Sequence, residues 1–247
     1  MKPQMTRARP AFVSHSPETG SDYTIYVDAP PGGAPTPAVL MMDGDFMFDA
    51  AAGAARKLAA AGRIPPTVVV GVGYGAGFGS PGNNRGRDYT PTASSDEPSS
   101  GGADAFLRYL RRTLWPGLRG RHALREDRRV IAGHSLGSLL VLHALFQEEP
   151  FFTLALASAP SIWWDNRSVL ALIARRREGN ASLEGKLYLC VGEKDTPSML
   201  GDLALLEAQL RMRPFEGLGV EGERFADKDH YNVLETSMTA GLASLLG

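Results

Sequence analysis

The chain has 247 residues, 43% of them hydrophobic, with 26 basic and 27 acidic side chains and a formal net charge of −1. That length fits one α/β domain with an ample core, and the balanced charge gives no global field to draw nucleic acid or an acidic membrane. One cysteine, Cys190, excludes an intrachain disulfide, a zinc ribbon and a Cys-x-x-Cys redox motif. The first strand is predicted at residues 23–27, by alternation, and the proline- and glycine-rich 30–37 is a loop. Residues 38–42 are an apolar strand running into Asp43-Gly44-Asp45, and an alanine-rich helix over about 48–61, closed by Gly62, leads to a buried strand at 67–72. This is a βαβ unit. A long polar loop follows at about 75–102, ordered over 85–91 and disordered over 92–102. Then come a helix at 103–118, the strand before Ser135, a helix at 137–148, a strand at 153–158 and a helix at 168–178. A strand at 186–191 that buries Cys190, a helix at 199–212, a strand at 219–225 and a last helix from about 231 complete the chain.

Regular alternation of this kind predicts an α/β fold, one 1–247 domain with a mainly parallel, doubly wound sheet, helices on both faces and an antiparallel N-terminal edge. No stretch reaches the roughly 18 apolar residues of a membrane span. Residues 1–10 carry charge with no apolar run behind them, so no secretory signal is expected and a cytoplasmic location is.

Ligands of such sheets bind beyond the carboxyl ends of the strands. At one exit the apolar run Val130-Ile-Ala-Gly-His-Ser-Leu-Gly-Ser138 stops at Gly-x-Ser-x-Gly and an apolar helix pattern follows. A sharp strand-to-helix turn there would expose the Oγ of Ser135, the candidate nucleophile, beside the first N–H groups of a helix, and the flanking glycines relieve crowding. A serine hydroxyl needs a base, and the base needs a third group to fix its tautomer. His15 and His122 sit in loops, His143 lies within an apolar helix and His134 is expected to support the turn; His230 follows the last strand in the order Ser, acid, His, and is the expected base. For the acid, Asp195 and Glu193 compete at the exit of the 186–191 strand, with Asp195 favoured, while Asp227 and Asp229 are expected to shape their loop. The oxyanion should rest on the Leu136 N–H and on that of Gly44 or Asp45. Gly71-Val-Gly-Tyr-Gly-Ala76 imitates a dinucleotide fingerprint but opens onto Gly79-Ser-Pro-Gly82, which cannot start a phosphate-binding helix.

Three segments, Arg85-Gly-Arg-Asp-Tyr-Thr-Pro91, Ile131-Ala-Gly-His-Ser-Leu-Gly-Ser138 and Ser158-Ala-Pro-Ser-Ile-Trp-Trp-Asp165, together resemble the esterase branch of the α/β-hydrolases that contains the enterobactin-type siderophore esterases. Met41-Met-Asp-Gly-Asp45 and His230 extend the resemblance over most of the chain. It implies an α/β-hydrolase fold, Ser135 as nucleophile and His230 as base. It also implies a substrate-contacting arginine, Arg85 or Arg87, and an aromatic pair, Trp163 and Trp164, beside the pocket. Some members resemble Ser-His dyads, so the acid is its least secure part, and fold-level analogy does not choose a substrate.

The expectation is therefore a serine carboxylesterase working through an acyl-enzyme on a small-molecule ester, with siderophore-like lactones as an extension. No cofactor, metal, nucleic acid or membrane partner is called for, and the sequence leaves the oligomeric state open. The alternatives are an acyltransferase on the same fold and a catalytically silent binder of an anionic aromatic ligand.

Overall fold

The computed structural model describes residues 5–95 and 97–247. In chain order the elements are β1 (Phe12–Ser16), β2 (Ser21–Asp28), β3 (Thr36–Met42), α1 (Gly44–Ala60), β4 (Val68–Gly73), α2 (Arg85–Asp88) and α3 (Ala103–Tyr109). A π turn at Leu110–Leu114 joins α3 to α4 (Trp115–Arg119). The rest are β5 (Leu124–His134), α5 (Leu136–Leu145), β6 (Leu154–Ser158), α6 (Trp164–Gly179), β7 (Ser182–Gly192), α7 (Pro197–Met212), β8 (Glu216–Phe225) and α8 (Leu234–Leu246).

Among the described residues eight strands form one sheet in the order β1-β2-β4-β3-β5-β6-β7-β8. The β1–β2 and β2–β4 pairs are antiparallel and every later pair is parallel. The fold is that of the α/β-hydrolases, with the antiparallel edge at its N-terminal side. Its central strands are apolar on both faces because each face is covered by helices. Successive β3 residues show this: Val39 and Met41 belong to the core under α1 and α8, Leu40 and Met42 to the one under α3, α5 and α6. The exposed edge strand β8 instead carries Glu216, Glu221, Glu223 and Arg224, charges that oppose pairing with another chain. No helix among the described residues is long and apolar enough to cross a membrane.

Four local departures from the sequence reading have physical causes. Helix α1 begins at Gly44 rather than near 48 because Asp43 takes a left-handed conformation (φ 52°), and its carbonyl accepts the Phe46 and Met47 N–H groups. Gly62 does close it, at φ 67°. The helix predicted over 103–118 contains a π turn that ends two residues before Pro116, a residue with no N–H to continue the regular register. In the segment 92–102, expected to be disordered, the two ends are tied down: Gly102 N–H donates to Arg87 O at 2.9 Å, Gly101 N–H to Thr90 Oγ1 at 2.8 Å, and Trp164 Nε1 to Thr92 O at 3.3 Å. Helix α6 is right-handed only from Ser168, as expected, but it is entered through three consecutive left-handed residues, Asp165, Asn166 and Arg167. Each such residue costs about 1–2 kcal/mol, and Arg167 is anchored by Nε donating to the buried Asp202 carboxylate at 2.6 Å.

Candidate active site

The carboxyl end of the sheet is built around the turn between β5 and α5. Ser135 has φ 56° and ψ −120°, a conformation that L-residues rarely hold unless the surroundings impose it. Here they do. The Ser135 N–H donates to Ser158 O on the neighbouring strand at 3.0 Å. Ser138 Oγ lies within hydrogen-bond reach of both Gly133 O (2.7 Å) and Ser158 O (2.8 Å). A Cβ on Gly133 would strike the Gly137 carbonyl and come within 2.8 Å of Ser138 N, so the first glycine of the motif is required by backbone-to-backbone contact.

Asp195 and His230 arrive from the next two exits. Glu193 N–H donates to Phe225 O at 3.0 Å and Lys194 N–H to Lys228 O at 2.8 Å, which stitches the β7 exit to the loop after β8. The result is a His230 Nδ1 to Asp195 Oδ2 contact of 2.8 Å, with the other Asp195 oxygen accepting the Thr196 N–H at 2.7 Å. An ionised carboxylate only accepts, which puts a hydrogen on Nδ1 and, in the neutral ring, leaves Nε2 as the acceptor. Asp195 is buried whereas Glu193 is exposed, so of the two competing carboxylates it is Asp195 that meets the imidazole. Asp229 accepts the Tyr231 and Asn232 N–H groups, shaping the turn that presents His230.

His134, directly before Ser135, lies under this imidazole with ring centroids 4.7 Å apart. Its Nδ1 is 3.1 Å from Ser158 Oγ, which donates to Ser237 Oγ, which donates to Val233 O. That polarity leaves Ser158 only able to accept from the ring, so the hydrogen sits on Nδ1. The other nitrogen, Nε2, is buried without a hydrogen-bond partner. Burial, then the nearby His230 and Arg85, push the His134 imidazole down to about 3, the His230 backbone carbonyl offsetting only part of this.

On the other side, the N-termini of α1 and α5 converge. A Cβ on Gly137 would sit 3.3 Å from Met42 Cβ and 3.4 Å from Asp43 Oδ2. Leu136, Gly44 and Asp45 are opening residues of their helices, whose N–H groups have no acceptor one turn back. The glycine at 44 has a packing reason: a Cβ there would lie 2.6 Å from Gly71 C and 2.7 Å from Val72 N. The Asp45 carboxylate turns away from the turn, accepting from Tyr26 OH at 2.8 Å and the Gly75 N–H at 3.1 Å.

Arg85 reaches this site, but its first partner is Asp43. Nε and Nη2 donate to the two Asp43 oxygens at 2.9 and 2.8 Å, Asp43 being 1% and Arg85 22% exposed as side chains. Burial works against the guanidinium charge and the Asp43 carboxylate more than reverses it, raising the pKa. The guanidinium also lies 4.8 Å from the Phe78 ring centre and 5.6 Å from that of Tyr89, whose hydroxyl accepts the Asp43 N–H at 2.9 Å. Arg87 faces a different neighbourhood, Asp88 at 2.7 Å and Ser21 Oγ at 3.0 Å. The two tryptophans also divide: Trp163 is 48% exposed and Trp164 is buried in the core. An open groove of about 930 Å³ lined by Arg111, His143, Gln147 and Arg176 holds none of these residues; it lies at the opposite end of α5.

Sequence reasoning passed over Asp43, Ser138, Ser158 and Ser161. Ser161 Oγ is 3.3 Å from Ser135 Oγ, and its N–H donates to Ser135 O at 3.2 Å. Its only signal was membership of the Ser158–Asp165 segment at a strand exit.

Residues 16–215 match the family model described as Putative esterase. The chain belongs to that family. It is 32% identical over 193 residues to the siderophore triacetylfusarinine C esterase of Aspergillus fumigatus, a match covering 74% of this chain and 63% of that protein. The chain thus spans somewhat less than two thirds of that relative. It is 29% identical over 248 residues to the ferri-bacillibactin esterase BesA of Bacillus subtilis, covering 89% of this chain and 83% of that one. The crystal structure of the BES protein from Bacillus cereus superposes with a TM-score of 0.86 at 26% identity, over 100% of this chain and 98% of that one.

Proposed function

We propose that this esterase-family protein hydrolyses carboxylic esters through an acyl-enzyme on Ser135, with His230 as base and Asp195 as the group that orients it. One observation carries the reading: His230, hydrogen-bonded through Nδ1 to Asp195, packs on His134, the residue directly before a serine held at φ 56°. His230 Nε2 takes the Ser135 proton as Oγ bonds to the acyl carbon. The oxyanion rests on the Leu136 N–H and that of Gly44 or Asp45, His230 gives the proton to the leaving alcohol, and water repeats the sequence to free the acid.

For substrate, we propose esters of the siderophore class. The relatives' names support this, as does the surface beside the nucleophile. There Arg85 keeps Nη1 outside its fork with Asp43, Phe78 is stacked on Phe46 at 4.0 Å, and Trp163 is exposed. A cation bordered by aromatic faces suits a catecholate or another anionic aromatic group. The test is a panel of activated esters of rising chain length beside a catecholate trilactone, run on wild type and Ser135→Ala. Turnover of the trilactone well above the simple esters, abolished in the variant, is expected. Retained turnover in Ser135→Ala would overturn the mechanism, and trilactone rates no better than those of the simple esters would overturn the substrate.

A further inference from the structure

A buried hydroxyl needs a partner, because leaving it unpaired costs more than an alanine in the same place. Ser161 is 1% exposed, and the partner of its side chain is the Oγ of Ser135, at 3.3 Å. Its position is firmly imposed. Ala159 is held in a left-handed conformation (φ 45°) with its N–H donating to Cys190 O at 2.7 Å, the Ile162 N–H donates to Pro160 O at 2.8 Å, and the Ser161 N–H itself is bound to Ser135 O. The strained Ala159 two residues upstream and the Ser161 N–H bond to Ser135 O together hold the Ser161 hydroxyl beside Ser135 Oγ.

We propose that Ser161 is a second catalytic hydroxyl, donating a hydrogen bond to Ser135 Oγ and stabilising the negative charge that this oxygen carries as it attacks and as it leaves. The proposal rests on the serine-esterase reading. Ser135 Oγ has two lone pairs: one forms the bond to the acyl carbon while the proton goes to His230, and the other accepts from Ser161. In deacylation the C–Oγ bond breaks, its electron pair stays on Oγ, and Oγ recovers its proton from His230. Ser161 keeps its own proton throughout and acts only as a donor. Such a donor strengthens as Oγ becomes anionic, so it contributes to kcat rather than to ground-state binding.

The test compares Ser161→Ala, Ser161→Cys and Ser135→Ala on p-nitrophenyl acetate, with the labelling rate by a fluorophosphonate and the melting temperature measured alongside. Ser161→Ala should lose about 10- to 100-fold in kcat, the worth of one hydrogen bond to a charged group, with KM and melting temperature nearly unchanged and labelling slowed in parallel. Ser161→Cys, similar in volume but a weaker donor, should fall between. The proposal is overturned if kcat in Ser161→Ala stays within about threefold of wild type. It is equally overturned if the loss is confined to KM, or follows the melting temperature and is not partly restored by cysteine. An active Ser135→Ala would instead mark failure of the underlying serine mechanism.

Discussion

His134 and His230 pack ring against ring, 4.7 Å between centroids, yet are held in opposite ways: His230 is hydrogen-bonded to a buried carboxylate, and His134 to a serine hydroxyl with its second nitrogen unpartnered. The lower ring is thus a neutral support. Its depressed value, about 3 against an ordinary 6.5, makes it a liability in acid. Between those two values the unfolded chain binds a proton at this position and the folded chain does not. The contribution is therefore intact above about pH 6.5 and is lost as pH falls, by about 1.4 kcal/mol per unit. Urea unfolding at pH 7, 6 and 5 should show that slope in wild type and a shallower one in His134→Gln. Equal slopes would mean that His134 is not kept neutral by the fold.

Asp195→Asn should lower kcat by about 10²–10⁴-fold with little change in KM, because the amide no longer fixes the Nδ1–H tautomer or balances the imidazolium. Glu193→Gln, at an exposed position, should leave both parameters essentially unchanged. Ester kinetics of the two variants side by side decide between the carboxylates; a larger loss in Glu193→Gln would reverse the assignment.

The Asp43–Arg85 fork gives Arg85 a structural duty besides any contact with substrate. Removing the guanidinium strands a 1% exposed carboxylate at the turn into α1, a loss of about 3 kcal/mol by the usual cost of breaking a buried pair. Arg85→Ala should accordingly unfold at lower urea and lose activity on neutral acetyl esters as well as on anionic ones. An arginine used solely for anionic substrates would instead show normal stability and a KM defect restricted to them.

Three glycines should respond to alanine in two directions. At Gly133 and Gly44 the new Cβ meets backbone atoms that no rotamer change can move, and stability should fall by about 1–3 kcal/mol in each. Gly53, inside α1 with nothing within 4 Å of its Cβ direction, should gain about 0.5–1 kcal/mol from the lost glycine entropy. Denaturant midpoints of the three variants test this, and a stable Gly133→Ala would show that the turn can relax.

Most of the fold was legible because it rests on local pattern. The apolar runs around Val39, Val69, Ile131 and Leu156 mark strands buried on both faces, and the intervening periodic segments mark their helices. The short antiparallel β1 was less visible: its Val13 is exposed and its residues carry no apolar run. The left-handed entry into α6 was not legible: Asp165 and Asn166 are types that tolerate that region without requiring it, and Arg167 is held there by its contact with Asp202.

The amino-acid sequence by itself determined the strand-turn-helix at Ser135, the order of Ser135, Asp195 and His230 along the chain, and the family resemblance. Those are properties of adjacent residues and of periodicity. Only the tertiary structure decided which carboxylate reaches His230, that Arg85 faces Asp43 while Arg87 faces Asp88, that Trp163 is exposed and Trp164 buried, and that Ser161 stands beside Ser135. The reason is geometric. A carboxylate or hydroxyl binds over about 3 Å, and which groups come that close is fixed by the register and twist of β5, β6, β7 and β8, which long-range strand pairing sets.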